Sequence, residues 1–278
     1  MEAISDCSGL LCMLTDPIDD ALLERAPRLK VVSQMAAGVD NIDIEACRRR
    51  GVAVGHTPDV LTNTVADHAF ALLAAIVRRL PEGNAEVVRG EWGPWKPFHL
   101  VGGDLWGTTL GIVGMGRIGQ AVARRAGGFD MDVVYSSPRP AQVGGRHVRL
   151  DDLLAVSDHV VLCASLNDAT TGLIDRRELG LMKRTSYLVN VARGPLVVTD
   201  ALVEALESGE IAGAALDVTD PEPLSPDHPL VRAPNCLVVP HIASASVRTR
   251  LAMADLAVDN LLAGLDDREL PSPYRPWP

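Results

Sequence analysis

The 278-residue sequence is poor in aromatic residues, has an odd number of cysteines and lacks any long apolar run. Aromatic residues make up only 4% of the chain, so a core must be built mainly from aliphatic side chains, as in buried parallel strands. The five cysteines form no Cys-x-x-Cys pair, which indicates free thiols in a reducing compartment. No apolar stretch approaches the roughly 20 residues that span a bilayer, so no membrane partner is expected.

Positive charge is also scarce. Lys and Arg number 26 against 36 Asp and Glu, which gives a net charge of −10 at pH 7. This balance argues against general binding to nucleic acid or anionic membranes. An anionic small-molecule substrate stays possible, because one arginine suffices to hold a carboxylate. The first residues, Met1–Asp6, are acidic and unlike a signal peptide, so a cytoplasmic location is expected.

Several chemical motifs are missing. The sequence contains neither a Gly-x-Ser-x-Gly nucleophile turn nor a Gly-x-x-x-x-Gly-Lys-Ser/Thr phosphate loop. The histidines other than His241 show no metal-ligand spacing and are interpreted as structural or surface residues, so no metal is expected; they are His56, His68, His99, His147, His159 and His228.

Hydrophobic residues make up 47% of the chain. They occur in alternating strand-like and helix-like runs. This alternation predicts an α/β fold with a parallel sheet covered on both faces. Strand-like runs lie at Leu10–Leu14, Leu29–Ser33, Val52–Gly55, Leu110–Gly114, Val133–Ser136, His159–Cys163, Tyr187–Asn190, Ala214–Asp217 and Cys236–Val239. Helix-like runs lie at Asp19–Arg25, Asp43–Arg50, Val65–Leu80, Ala121–Arg125, Ala201–Glu207 and Arg248–Leu262.

A Gly-x-Gly-x-x-Gly pattern at Gly114, Gly116 and Gly119 is the most informative feature. Alone it is a weak signal, but a strand-like run, Thr108–Val113, precedes it and a helix-like run, Ile118–Arg125, follows it. That setting is typical of a dinucleotide-binding fingerprint, in which the pyrophosphate lies at the helix N-terminus. The alternative is a glycine-rich turn in another α/β protein.

The choice of cofactor depends on the end of the next predicted strand. NAD-binding domains place an acidic residue about 20 positions past the glycines to bind the ribose 2′-hydroxyl. Here Ser136, Ser137 and Arg139 occupy that segment without an acid, which favours NADP(H). NAD(H) remains possible if Arg139 is only a solvated loop charge.

Three further segments place polar side chains at predicted strand ends, where ligands bind in open α/β sheets. Arg193 follows one strand, and its planar fork suits a carboxylate with a neighbouring carbonyl. Glu222 follows a second strand between two prolines, and His241 follows a third. A carboxylate beside His241 would favour imidazolium, the acid that protonates a carbonyl oxygen during hydride attack. Taken singly, these residues would be a structural ion pair, a solvated acidic loop and a structural histidine.

The stretch from Pro81 to Trp106 interrupts the alternating pattern. It is rich in glycine and proline and holds three of the four tryptophans. A long aromatic loop of this kind predicts a functional or interface element, or else an ordinary packed connector.

These segments, taken in order, resemble the D-isomer-specific 2-hydroxyacid dehydrogenase family, most closely its glyoxylate/hydroxypyruvate reductases. The motifs that carry the resemblance are Gly-x-Gly-x-x-Gly, Asn-Val-Ala-Arg-Gly, Leu-Asp-Val with Pro-Glu-Pro, and Pro-His-Ile-Ala-Ser. The resemblance itself covers nearly the whole chain. The sequence departs from the usual family pattern at two positions: Ala243 stands where the family usually has Gly, and Asp67 where it usually has Glu.

The resemblance implies a Rossmann-type doubly wound parallel sheet inserted into a smaller flavodoxin-like α/β domain. The dinucleotide-binding domain would be residues 63–242, and the substrate domain residues 1–62 with 243–278. The family's opening strand, helix and next strand have no counterpart ahead of Met1, so an N-terminal truncation is expected.

The resemblance also implies roles for individual residues. Arg193, Glu222 and His241 would be catalytic. Substrate binding would involve Ala37, Gly38, Arg193, His241, Ser244 and Trp95. Cofactor binding would involve Gly114, Gly116, Arg117, Ile118, Gly119, Ser136, Ser137, Arg139, Ser165, Val191, Asp217 and Ala243. A homodimer is expected, with the loop Trp92–Trp106 in or near its interface.

The activity that follows is NADPH-dependent reduction of glyoxylate or hydroxypyruvate to glycolate or D-glycerate. One alternative is a related dehydrogenase acting on 3-phosphoglycerate or a branched 2-oxo acid, although residues 31–44 carry no basic side chain for a phosphate. The other is a dinucleotide-sensing scaffold without enzymatic activity.

Overall fold

The computed structural model describes residues 4–142 and 144–275. The chain divides into two α/β units: Met1–Thr64 together with Ser244–Pro278, and the intervening Val65–Ala243. The division lies two residues from the boundary expected after residue 62 and one from that expected after residue 242.

The smaller unit is built on a three-stranded parallel sheet with strand order β1-β2-β3. Asp19 and Asp43 cap its first two helices by accepting hydrogen bonds from Leu22 N and Ala46 N. The elements are β1 (Gly9–Cys12), α1 (Asp20–Glu24), β2 (Val31–Gln34), α2 (Ile44–Arg49), β3 (Ala53–Gly55) and, at the other end of the chain, α10 (Val247–Leu265).

Helix α10 completes this unit by covering β1 and β2. Gly264 lies so close to Val31 that a Cβ there would overlap the valine side chain. Asn260, fully buried on the same helix, donates to His56 O at 3.1 Å and accepts from Ser272 N at 2.8 Å. The C-terminal helix is therefore an integral part of the smaller unit.

The larger unit contains a seven-stranded parallel sheet with the order β10-β9-β8-β7-β4-β5-β6. Strand β4 pairs with β5 on one side and β7 on the other, so the direction of winding reverses at β4. The strands are β4 (Thr109–Val113), β5 (Asp132–Ser136), β6 (Arg146–His147), β7 (His159–Leu162), β8 (Tyr187–Asn190), β9 (Gly213–Leu216) and β10 (Cys236–Val238). The predicted doubly wound Rossmann-type sheet is confirmed.

Helices flank this sheet, and aliphatic side chains such as Leu153, Leu162, Leu188 and Leu206 fill the core between them. The helices are α3 (Thr62–Val77), α4 (Leu80–Val88), α5 (Arg117–Ala126), α6 (Leu150–Val156), α7 (Arg176–Leu181), α8 (Thr199–Glu207) and α9 (Pro229–Arg232). No helix in the described ranges combines the length and apolarity needed to cross a membrane.

The structure corrects the prediction for the segment from Pro81 to Trp106. Its first part is helix α4, and only the remainder is irregular. Pro81 lies in the first turn of this helix, where a missing N–H costs nothing. Strand β6 and helices α6, α7 and α9 were also not predicted, because each is too short to show a clear period.

Candidate active site

Strands β8, β9 and β10 are adjacent in the sheet and parallel, so the segments that follow them emerge side by side. Arg193 lies three residues after β8, and Glu222 and His241 follow β9 and β10. Each side chain therefore begins at the carboxyl edge, where open α/β sheets bind ligands.

His241 and Glu222 form a close pair. Nδ1 of His241 donates to Oε1 of Glu222 at 2.6 Å, and Oε2 accepts from Thr219 N at 3.4 Å. Both side chains are partly accessible, His241 at 29% and Glu222 at 41%. Because Nδ1 is engaged, the ring's Nε2 is the nitrogen available to a reactant.

The pKa of the Glu222 carboxyl depends on both His241 and Arg193. Burial acts to raise the pKa of its carboxyl, but the hydrogen bond and charge of His241, the Thr219 N–H and the charge of Arg193 outweigh burial. The pKa of Glu222 is therefore held below its ordinary value. The carboxylate stays ionised next to the histidine near neutral pH.

The loop that carries Arg193 is fixed by a buried asparagine. Asn190 Nδ2 donates to Arg193 O at 2.8 Å, and Asn190 Oδ1 accepts from Ala192 N at 3.0 Å. A Cβ on the next residue, Gly194, would overlap the carbonyl of Thr219. Only glycine allows this loop to pack so closely against the segment leading to Glu222.

Asp217, directly after β9, holds the chain that follows His241. Its side chain is 1% exposed, and its oxygens accept from Ile242 N at 2.7 Å, Ala243 N at 3.0 Å and His68 Nε2 at 3.1 Å. Burial acts to raise the pKa of this carboxyl, but the three hydrogen bonds outweigh burial and hold it below its ordinary value.

The glycine motif forms a tight turn between β4 and α5. Gly114 has φ of 94°, and a Cβ there would overlap the backbone of Ala164. A Cβ on Gly119 would overlap the carbonyl of Gly114, whereas one on Gly116 would meet no neighbouring atom. The turn thus packs tightly on its inner side and leaves open space at Gly116, the residue before α5. Backbone N–H groups at this helix start fit a pyrophosphate.

The segment after β5 forms a compact turn. The Ser137 hydroxyl donates to Arg139 O, and His147 Nε2 donates to Ser137 O at 2.9 Å. Arg139 is exposed, and no carboxylate occurs from Ser136 to Arg139.

Comparison with known proteins agrees with this architecture. Residues 70–243 match the profile of the D-isomer specific 2-hydroxyacid dehydrogenase NAD binding domain. A glyoxylate reductase of Korarchaeum cryptofilum is 48% identical over 95% of this chain and 81% of that protein. A human glyoxylate reductase/hydroxypyruvate reductase is 45% identical over 97% of this chain and 84% of that protein.

Among solved structures, an NADPH-dependent glyoxylate/hydroxypyruvate reductase of Sinorhizobium meliloti, in complex with NADP and malonate, superposes with a TM-score of 0.90. It is 35% identical, with 98% of this chain and 85% of that chain covered. The chain belongs to the D-isomer specific 2-hydroxyacid dehydrogenase family. The expectation of an NAD(P)-dependent oxidoreductase is thereby confirmed.

The remaining residues that the family resemblance singled out lie in both units. In the smaller unit, His56 Nδ1 donates to Ala37 O at 2.8 Å and Gln34 Nε2 donates to Gly38 O at 3.3 Å. Ser244 is the first residue of that unit's second segment. In the larger unit, Val191 is buried, Ser165 O accepts from the Thr170 hydroxyl at 2.8 Å, and Trp95 is 86% exposed.

Two residues that contact the segments of this candidate site, Asn190 and His68, have no site role in the sequence-based prediction. Asn190 carries a recognisable signal, because a buried asparagine that ends a strand needs partners. His68 carries no such sequence signal, because it lies 149 residues before Asp217 and only folding brings the two side chains together.

Proposed function

We propose that the protein reduces glyoxylate or hydroxypyruvate to glycolate or D-glycerate. The observation that carries this proposal is the 2.6 Å pair of His241 and Glu222, with the positive charge of Arg193 acting on the same carboxylate. A proton donor beside a carboxylate-binding cation suits the reduction of a 2-oxo acid. The names of the relatives in Korarchaeum cryptofilum, human and Sinorhizobium meliloti support the same substrate class.

Arg193, His241 and Glu222 each have a separate role in this reaction. Arg193 binds the substrate carboxylate and the adjacent carbonyl oxygen, which orients the carbonyl and stabilises its developing negative charge. His241 donates its Nε2 proton to that oxygen as the C–O double bond becomes a single bond. Glu222 places a negative charge beside the ring of His241 and fixes the ring's orientation through Nδ1. The nicotinamide dinucleotide, when bound, supplies the hydride.

We assign dinucleotide binding to the turn at the start of α5 and to the end of β5. Gly114, Gly116, Arg117, Ile118 and Gly119 would hold the pyrophosphate on backbone N–H groups. Ser136, Ser137 and Arg139 would hold a 2′-phosphate, so NADPH would be preferred and NADH would remain usable. The absence of a carboxylate from this turn supports the preference, since an acid there would repel the phosphate.

Further roles rest on the family resemblance. Ala37, Gly38 and Ser244 would help bind the substrate, and Ser165, Val191, Asp217 and Ala243 would lie near the cofactor. The protein would form a homodimer around the dinucleotide-binding domain, with the segment Trp92–Trp106 in or near the interface and Trp95 reaching toward the partner's active site. The exposure of Trp92, Trp95, Phe98 and Trp106 in one segment supports this assembly.

An assay of NADPH oxidation over a panel of 2-oxo acids tests the activity. Glyoxylate and hydroxypyruvate should give the highest kcat/KM, with 3-phosphohydroxypyruvate, pyruvate and a branched 2-oxo acid much lower. A higher value for the phosphorylated or branched acid would replace the proposed substrate. Cofactor binding without turnover of any member of the panel would favour the sensing scaffold.

A further inference from the structure

The segment that carries His241 adopts a conformation that needs outside support. His241 itself has φ of 51°, in the left-handed region that non-glycine residues seldom occupy. Such a residue persists only where its surroundings fix it. Here the support comes from Asp217: its carbonyl accepts from His241 N at 2.9 Å, and its carboxylate accepts from the next two N–H groups, those of Ile242 and Ala243.

His68 donates to that carboxylate from a side chain, whereas the donors from Ile242 and Ala243 are backbone N–H groups. Asp217 Oδ1 accepts from both Ile242 N and His68 Nε2, whereas Oδ2 accepts from Ala243 N. The His68 side chain is 18% exposed and projects from α3, the 16-residue helix Thr62–Val77. Without its N–H, a buried carboxylate would keep only the two backbone donors from the segment that it must hold.

We propose that His68 is a positioning residue for proton transfer, acting through the Asp217 carboxylate on the segment His241–Ala243. The proposal rests on the function proposed above for His241. The imidazole anchors Oδ1 from the α3 side, and the carboxylate then presents fixed acceptors to Ile242 N and Ala243 N. This sets the backbone of His241, and Glu222 sets its ring.

The arrangement explains why a side-chain anchor matters here. The Asp217 carboxylate can rotate about its Cβ–Cγ bond, and both backbone donors come from the same short segment. That segment could therefore shift together with the carboxylate unless a third group fixes the carboxylate independently. A displacement of about 1 Å in a catalytic group costs up to about a hundredfold in rate.

Kinetics of substitutions at position 68 test the proposal. His68→Leu removes the donor, His68→Gln retains an N–H at a similar reach, and Asp67→Asn is a control at the adjacent position of α3. In His68→Leu we expect kcat for glyoxylate reduction to fall at least about tenfold, with the Kd for NADPH unchanged within about twofold. His68→Gln should restore most of kcat, and Asp67→Asn should resemble the parent protein.

Hydrogen exchange of peptides covering residues 238–246 provides a second readout that needs no turnover. Faster exchange there in His68→Leu, with restoration in His68→Gln and equal melting temperatures, supports the positioning role. If the parent protein reduces no 2-oxo acid but this exchange pattern holds, the proposed function fails while the structural role of His68 stands. If the parent is active and His68→Leu changes neither kcat nor exchange, the inference is overturned. Equal losses in His68→Leu and His68→Gln would also overturn it.

Discussion

Nδ1 of His241 lies 2.6 Å from Oε1 of Glu222, although the two residues are 19 positions apart and follow different strands. The neighbouring positions of β9 and β10 in the sheet make this approach possible. The hydrogen bond to Glu222 engages Nδ1 and orients the ring, so Nε2 is the nitrogen that can donate a proton to a substrate.

Replacement of His241 by Asn should reduce kcat for glyoxylate by about a hundredfold or more, because the proton donor is lost. The Kd for NADPH, measured by tryptophan fluorescence quenching, should be unchanged. His228→Asn is the matched control, since His228 accepts from Leu230 N at the start of α9 and asparagine is an equally good capping residue. Retention of most activity in His241→Asn would assign proton transfer to another group.

Replacement of Glu222 by Gln should move the pH profile of kcat/KM for reduction toward acid. The ionised carboxylate lies 2.6 Å from Nδ1 of His241 and attracts positive charge on the ring, whereas a neutral amide at that place does not. The profiles of the parent and the variant should be recorded from about pH 5 to 9. Asp227→Asn removes an exposed carboxylate downstream in the same region and should leave the profile in place. An unmoved profile in Glu222→Gln would exclude Glu222 from the mechanism.

The parent protein should prefer NADPH over NADH in kcat/KM by at least about tenfold, equivalent to roughly 1.4 kcal/mol. Arg139→Ala should reduce this ratio mainly by raising the KM for NADPH, because a phosphate contact is lost. Arg124→Ala, which removes an exposed arginine from α5, should keep the parent ratio. Equal use of both cofactors by the parent would contradict the assignment.

Trp95→Ala should weaken self-association at least about tenfold and change the ratio of kcat/KM for hydroxypyruvate to that for glyoxylate. Sedimentation velocity and kinetics on the same samples separate the two effects. Leu251→Ala is a control, because Leu251 is a large exposed apolar residue on α10. A change in kinetics without a change in mass would indicate that Trp95 covers its own subunit's site. A fully active parent monomer at micromolar concentration would contradict a shared site.

Thermal stability should decrease as the pH falls below about 4, and Asp217 should contribute to this decrease. The pKa of Asp217 is held below its ordinary value of 3.8, so the unfolded chain binds the proton more readily than the folded protein. The stabilisation is therefore present above that value and is lost as the pH falls through the folded-state pKa. Melting temperatures between pH 7 and 3 should show a shallower decrease in Asp217→Asn than in the parent or in Asp227→Asn.

Much of this architecture can be predicted from the sequence, because the buried strands are short apolar runs with clear ends. The glycine motif, Arg193, Glu222 and His241 are recognisable for the same reason: each follows such a run. Helix α4 is not predictable in this way, since Pro81 and Gly83 suggest a break while the proline in fact lies in the first turn.

The contacts that position the site are less accessible to sequence reasoning. The partnership of His68 with Asp217 joins a helix to a strand end far along the chain, and nothing in the local pattern of either segment predicts it. The short helix α7 does carry a local signal, because Asp175 and Glu178 form a capping box.

The order of the two units along the chain has a consequence for synthesis. Residues 65–243 are contiguous, so every strand of the larger sheet has been made before Ser244 is added. The three strands of the smaller sheet are made first, yet the helix that covers β1 and β2 is made last. On the ribosome, the face of β1 and β2 that α10 covers therefore stays open until that helix has been made, after every strand of the larger sheet.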